Sequence, residues 1–238
     1  MQILVIADDE RFYEMQLKLE SAAQLNPALQ LALTQSPEFN AALIQQYSSI
    51  YDLIFDLSFD SQPERIAVYN QAIMQQKPIV VNAVWHSLSM AIAQYSTLPL
   101  HCQLIGMNAL PTFINRSLWE ISLPDASPER KIFAEQVLAK LGIKFHFTDD
   151  RVGMVTPRIV TMIINEAYFL WQEQGANKQD IDIAMKLGVN YPQGPFEWAA
   201  NIGITNVIKT LEAVYNDTHD ERYRLCPLLK RQLLTLPE

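Results

Sequence analysis

Short apolar runs alternate with amphipathic stretches along the first 150 residues, the pattern of an α/β domain built on a parallel sheet. The spacing predicts strands at 2–7, 29–34, 51–57, 78–82, 102–107, 117–122 and 143–148. Helices are expected between them, near 10–25, 37–48, 63–76, 84–95 and 127–141. The last of these has a defined start: Ser127 as N-cap, Pro128 at the first helical position and Glu129 complementing the helix dipole. Leu141-Gly142 closes it. Beyond about residue 150 the strand pattern stops. Thr156-Pro157 opens a long helix whose apolar positions Ile159, Met162, Ile163, Ala167 and Leu170 form one stripe, and Gly175 ends it. Asn177 with Asp180 caps a second helix reaching Gly188, and two more start at Pro195 and Thr205. Two domains are therefore expected, 1–150 and 151–238, with the boundary near Asp149–Val152.

The first buried strand, Ile3-Leu4-Val5-Ile6-Ala7, runs directly into a helix through Asp8-Asp9-Glu10-Arg11-Phe12. A strand–turn–helix opening of this kind is Rossmann-like. A dinucleotide-binding domain places G-x-G-x-x-G there, because glycine lets the backbone approach a pyrophosphate. In this chain the first glycine is Gly106. Asp8 or Asp9 is expected to cap the helix and fill the anion site itself. After the second strand the run Leu33-Thr34-Gln35-Ser36 also lacks the acid that would hold an adenosine ribose. The expectation is a degenerate Rossmann-like domain with no cofactor-binding residues at Asp8, Asp9 and Glu10.

Composition narrows the partners. Apolar residues make up 49% and charged residues 18%, as in a soluble globular protein, and the net charge of −8 argues against nucleic acid or an anionic membrane surface. Cys102 and Cys226 are the only cysteines and no histidines cluster, so neither a metal site nor a disulfide framework is expected. A cytoplasmic protein with no signal peptide and no membrane span is the resulting expectation.

The helical half carries an ordered series of residues. It runs from Asn165-Glu166-Ala167 through Gly175, Asp180-Ile181-Asp182, Ala184-Met185 and Gly188 to Tyr191-Pro192-Gln193-Gly194-Pro195-Phe196-Glu197. Ile202-Gly203, Tyr215, Asp220, Tyr223 and Pro227-Leu228-Leu229 complete it. This series resembles the C-terminal domain of the 3-hydroxyacyl-CoA dehydrogenases of fatty-acid β-oxidation. The first half resembles them more faintly, through Asp52-Leu53-Ile54-Phe55-Asp56, Ile105-Gly106-Met107 and Glu120. On its own physics the Tyr191–Glu197 loop reads as architecture: Gly194 is expected to supply a positive φ, Pro195 to open a helix and Glu197 to favour its first turn. The Asn165-Glu166 pair is expected to make hydrogen bonds between helices rather than to act in catalysis. The resemblance implies an NAD-dependent oxidoreductase whose helices cover an acyl-CoA and form a homodimer contact.

The resemblance also specifies what has changed. In the family a histidine base follows Gly-Met and a glutamate twelve residues later holds it. Here Gly106-Met107 is followed by Asn108, with Glu120 twelve residues on. An amide has no pKa near neutrality and takes no proton, so the change should cost ~10²–10⁴-fold in rate. Where the family has Asn-Arg at the start of the long helix, this chain has Pro157-Arg158. Ser87 aligns with a substrate-side serine, and His86 beside it is a candidate replacement base; His101, His146 and His219 have no such setting. The glycines, the ribose acid, the base and the helix asparagine thus all differ. The leading reading is a catalytically degenerate relative that binds an acyl-CoA or a protein partner, with no cofactor. The alternatives are an active oxidoreductase using NAD in a non-standard mode, with Glu120, Ser87 or His86, and a structural subunit of another β-oxidation enzyme.

Overall fold

The computed structural model describes all residues except 27, 43, 45–49, 73–76, 97–102, 126 and 236–238. His101 and Cys102 therefore lie outside the described residues, as do residues 43 and 45–48 of the helix expected at 37–48. The chain divides into two compact units, Met1–Met154 and Val155–Glu238.

Among the described residues the first unit forms a sheet of seven strands: β1 Gln2–Ile6, β2 Ala32–Ser36, β3 Leu53–Asp56, β4 Pro78–Asn82, β5 Gln103–Met107, β6 Trp119–Ser122 and β7 Phe145–Phe147. Their order is β2-β1-β3-β4-β5-β6-β7, and every pairing is parallel except β5 with β6. Helices α1 Asp9–Leu25, α2 Ile66–Ala72, α3 Leu88–Tyr95 and α4 Pro128–Lys140 cover it. Alternation along β1 divides the two faces. Ile3 and Val5 pack with Met15 and Leu19 of α1 and Leu138 of α4, whereas Leu4 and Ile6 pack with Ile66 and Tyr69 of α2 and Leu88 of α3. A sheet buried on both faces explains why β3 and β4 read as unbroken apolar runs.

Three expectations shift. The second strand begins at Ala32 rather than residue 29, because Leu29 donates to the Asn26 carbonyl in a turn and pairing with β1 starts at Gln2 opposite Ala32. The fourth helix pattern begins at Leu88 rather than 84, because residues 83–87 form a loop held by side chains from elsewhere in the unit. Ser127 occupies the N-cap position of α4, but its side chain makes no cap bond; instead Asp125 Oδ1 accepts its N–H at 3.2 Å.

The second unit is helical: α5 Thr156–Gln172, α6 Lys178–Gly188, α7 Pro195–Ile202, α8 Ile204–Thr218 and α9 Pro227–Arg231. Its signature residues are spent on its own construction. Asn165 on α5 donates to the Arg224 carbonyl at 3.0 Å and accepts the Cys226 N–H at 2.9 Å, so one amide fastens the extended segment before α9. Asp182 accepts the Phe196 N–H at 2.9 Å, and Glu197 accepts the Gly194 N–H at 2.9 Å while pairing with Lys186. Lys178 sits 4.1 Å from the centre of the Trp171 ring, joining α6 to α5 by a cation–π contact. Gly194 corrects an expectation: its φ is −74°, not positive. Glycine is needed there because a Cβ would come within 2.2 Å of Asp182.

Candidate functional site

The carboxyl ends of β1, β3, β4 and β5 form the edge at which parallel α/β sheets bind ligands, and the strand order reverses between β1 and β3. Each expected site residue of the first unit lies along this edge or next to it.

At the end of β1 the helix starts on Asp8. Its Oδ1 accepts the Arg11 N–H at 2.9 Å, and its Oδ2 pairs with the Arg11 guanidinium at 2.6 and 2.8 Å. Arg11 reaches on to the Leu57 carbonyl past the end of β3. Burial pushes the Asp8 carboxyl up, but the side-chain and backbone hydrogen bonds from Arg11, with its charge, outweigh that and hold it below the usual carboxylate range. The end of β2 is joined to the same turn: Gln35 Nε2 donates to Asp9 Oδ1 at 2.9 Å and to the Ala7 carbonyl at 3.3 Å. The helix N-terminus, where a pyrophosphate would look for N–H groups, therefore presents carboxylates already engaged by the protein's own donors. Arg11 and Gln35 escaped the sequence reading. A basic residue three positions after an N-cap aspartate is the signal that marks Arg11.

At the end of β3, Asp56 is fully buried and accepts from Arg65 Nη1 at 3.0 Å, the Tyr69 hydroxyl at 2.6 Å and the Ser58 hydroxyl at 3.0 Å. Burial, then the Asp56 charge, raises the Tyr69 phenol well above its ordinary value, so Tyr69 stays a donor. At the end of β4, Asn82 Oδ1 accepts the Ala109 N–H at 2.8 Å and ties two strand ends together. Ser87 is the N-cap of α3, its Oγ accepting the Met90 N–H at 3.3 Å, and it is 6% exposed. Asp150 accepts the Leu88 and Ser89 N–H groups, each at 2.8 Å. The N-terminal donors of α3 are thereby occupied.

The twelve-residue interval between Asn108 and Glu120 has a geometric meaning. In the antiparallel β5–β6 pair Gly106 faces Ser122 and Met107 faces Ile121, which sets Asn108 opposite Glu120. The Asn108 N–H reaches the Glu120 carbonyl at 3.4 Å, both residues are buried, and the Asn108 amide oxygen accepts the Leu110 N–H at 3.3 Å. Position 106 must be glycine, since a Cβ would lie 2.3 Å from the Ser122 hydroxyl across the same pair. Pro157 belongs to the second unit, in the first turn of α5, where its carbonyl accepts the Thr161 hydroxyl at 2.8 Å. His86 lies against Asp60, with Nδ1 3.5 Å from Oδ1. His146 is on β7 and His219 closes α8 in the left-handed region at φ 51°. Among the described residues no group of acids, histidines and cysteines could hold a metal ion, and no helix is long and apolar enough to cross a membrane.

Residues 153–235 match the family model of the 3-hydroxyacyl-CoA dehydrogenase C-terminal domain. The helical unit is thus a 3-hydroxyacyl-CoA dehydrogenase C-terminal domain. Among curated relatives, a 3-hydroxyadipyl-CoA dehydrogenase of Escherichia coli is 40% identical over 111 residues, covering 47% of this chain and 23% of that protein. A probable 3-hydroxybutyryl-CoA dehydrogenase of Deinococcus radiodurans is 28% identical over 185 residues, covering 76% of this chain and 66% of that protein. The structure of (S)-3-hydroxybutyryl-CoA dehydrogenase from Ralstonia eutropha superposes with a TM-score of 0.71 at 18% identity, covering 98% of this chain and 93% of that one. At that identity the likeness establishes the fold: a Rossmann-like sheet domain followed by the helical domain of the family. The matches to the Escherichia coli protein and to a 3-hydroxybutyryl-CoA dehydrogenase of Bradyrhizobium diazoefficiens span 23% and 33% of those proteins' lengths.

Proposed function

We propose that this protein is a 3-hydroxyacyl-CoA dehydrogenase relative that has given up nicotinamide-dependent hydride transfer and serves as an acyl-CoA-binding or partner protein. The observation that carries this reading is the turn after β1. Asp8 caps α1 and holds Arg11, while Gln35 bridges from β2 to Asp9. A pyrophosphate at this helix start would meet Asp9 and Glu10 beside it. Each like-charge pair ~6 Å apart costs roughly 3 kcal/mol at an effective dielectric of ~20, before screening. The residues present at this turn do not fit NAD. Asn108 opposite Glu120 supports the same reading, because the amide keeps the register of a base–acid pair and cannot accept a proton.

Supplying NADH with acetoacetyl-CoA, the 3-oxo product of 3-hydroxybutyryl-CoA oxidation, should give no turnover above the uncatalysed background. Steady saturable turnover would overturn the reading. The proposal includes a homodimer formed through the helical unit, in a reducing cytoplasm that leaves Cys226 a free, buried thiol. Two features support the dimer: a cleft of 590 Å³ lined by Met162, Phe169, Leu170, Ile181 and Met185, and exposed apolar residues including Ile159 and Leu187. Leu170→Asp should yield monomers in sedimentation, and a dimer that survives it would place the contact elsewhere.

A further inference from the structure

Asp60 and His86 stand apart from the contacts that fill the turn after β1. Asp60 lies in the short 3-10 turn Phe59–Ser61 beyond β3, and its side chain is 1% exposed. Its Oδ2 accepts the Val84 N–H at 2.8 Å. Its Oδ1 lies 3.5 Å from His86 Nδ1, which is itself buried, while the His86 side chain as a whole is 39% exposed. The loop carrying the imidazole is fixed from several sides. Ala83 N–H donates to the Met107 carbonyl at 3.0 Å, Gly153 N–H donates to the Val84 carbonyl at 2.6 Å, and Ser87 with Asp150 fixes the start of α3. The ring is thus presented at the carboxyl edge of the sheet on a held segment.

A loop organiser needs only a neutral acceptor for the Val84 N–H, and an amide would serve at lower cost than a desolvated carboxylate. Burial raises the Asp60 carboxyl above its ordinary value, and the Val84 and Trp85 backbone groups with the imidazole 3.5 Å away offset only part of that. A carboxylate against Nδ1 keeps the proton on that nitrogen and leaves the Nε2 lone pair free. The same division of labour, an acid orienting an imidazole whose other nitrogen faces the reacting group, recurs on unrelated folds.

We propose that Asp60 and His86 form a proton-transfer pair at this edge, with His86 as the base toward a 3-oxoacyl thioester and Asp60 as its positioning residue. The proposal rests on the acyl-CoA-binding reading above. The C2 carbon of such a thioester lies between two carbonyls and carries its acidic protons. In the step the C2–H bond breaks, an N–H bond forms at Nε2, and the electron pair passes into the enolate shared by the two carbonyls. The reverse step returns a proton that has exchanged with solvent. No electrons leave the substrate, so the reaction requires no nicotinamide or other oxidant.

The test is deuterium exchange at C2 of acetoacetyl-CoA in deuterated buffer, followed by proton NMR, with binding measured separately by calorimetry. The wild-type chain should accelerate exchange, and His86→Ala should lower it by ~10²–10⁴-fold toward background. Added free imidazole should restore part of the rate to His86→Ala, a recovery that a merely structural histidine would not show. Asp60→Asn should slow exchange with acetoacetyl-CoA affinity unchanged. Should that variant fail to fold, the imidazole rescue of His86→Ala still decides. Saturable binding with only background exchange would overturn the proton-transfer proposal and leave the binding reading standing. Exchange unaffected by His86→Ala would overturn it as well. Absence of any acetoacetyl-CoA binding would overturn the binding reading, and the proposal with it.

Discussion

The signature residues of the helical unit and the edge residues of the sheet unit are both engaged in hydrogen bonds, yet the two sets mean different things. In the helical unit Asn165, Asp182, Gly194 and Glu197 satisfy backbone groups of neighbouring segments, so their presence is a statement about folding. A sequence that keeps them keeps the domain and says nothing of chemistry. At the sheet edge the positions that would serve a dinucleotide hold Asp8, Asp9, Arg11 and Gln35, which bond to one another. There the side chains after β1 and at the end of β2 are partners of one another. A match over residues 153–235 therefore reports on the helical domain, and the chemistry has to be argued from the residues of the site.

The sharpest way to probe this contrast is to break one polar cluster in each unit. Asp56→Ala should cost about 3–5 kcal/mol, because it strands the buried Arg65 guanidinium and the Tyr69 hydroxyl. Chemical denaturation followed by far-ultraviolet circular dichroism reads it, and a loss under 1 kcal/mol would show that the cluster is not structural. Asn165→Ala should cost about 2–3 kcal/mol by leaving the Cys226 N–H and Arg224 carbonyl without their partner. A nearly neutral outcome, with activity or binding altered instead, would move Asn165 from architecture to chemistry.

Asp8→Ala should cost about 1 kcal/mol as a lost N-cap. Its acid dependence has a definite sign. The Asp8 carboxyl lies below its unfolded value in the folded chain, so its contribution is complete above the unfolded value and is lost as pH falls through the lowered one. Stability curves of wild type and Asp8→Ala should therefore converge in acid; curves that stay parallel would mean the Arg11 pair contributes nothing. Asn108→His, the smallest expected effect, should leave NADH-dependent turnover at background, because restoring a base does not reopen the turn after β1. Recovery of turnover by that single change would show that the cofactor site is intact.

Much of the architecture was legible in the hydrophobic pattern, and the exceptions have physical causes. Strands buried on both faces announce themselves as apolar runs, as β1, β3 and β4 do, whereas β2 and β7 are half-exposed and carry polar residues. The start of β2 was not legible, because register with β1 rather than local composition decides where the chain becomes extended. The start of α3 was misplaced because Asp60 and Asp150, 24 and 62 residues from their partners Val84 and Leu88, hold the preceding loop. Gly194 was read as a conformational necessity and proved a steric one, since the side chain it spares belongs to Asp182 on another helix. At the candidate site, Asn108 and Glu120 were paired only through the family resemblance, and the β5–β6 register explains the interval that it implies. Asp60 could not be paired with His86, because no local rule links a turn after β3 with a loop after β4.

The central claim is that the turn after β1 no longer accepts a dinucleotide, and NADH fluorescence measured while the wild-type chain is titrated in tests it most directly. The account predicts no saturable change at high protein concentration under conditions where acetoacetyl-CoA binds. A saturable enhancement or quench of NADH fluorescence, abolished by competing NAD, would contradict it.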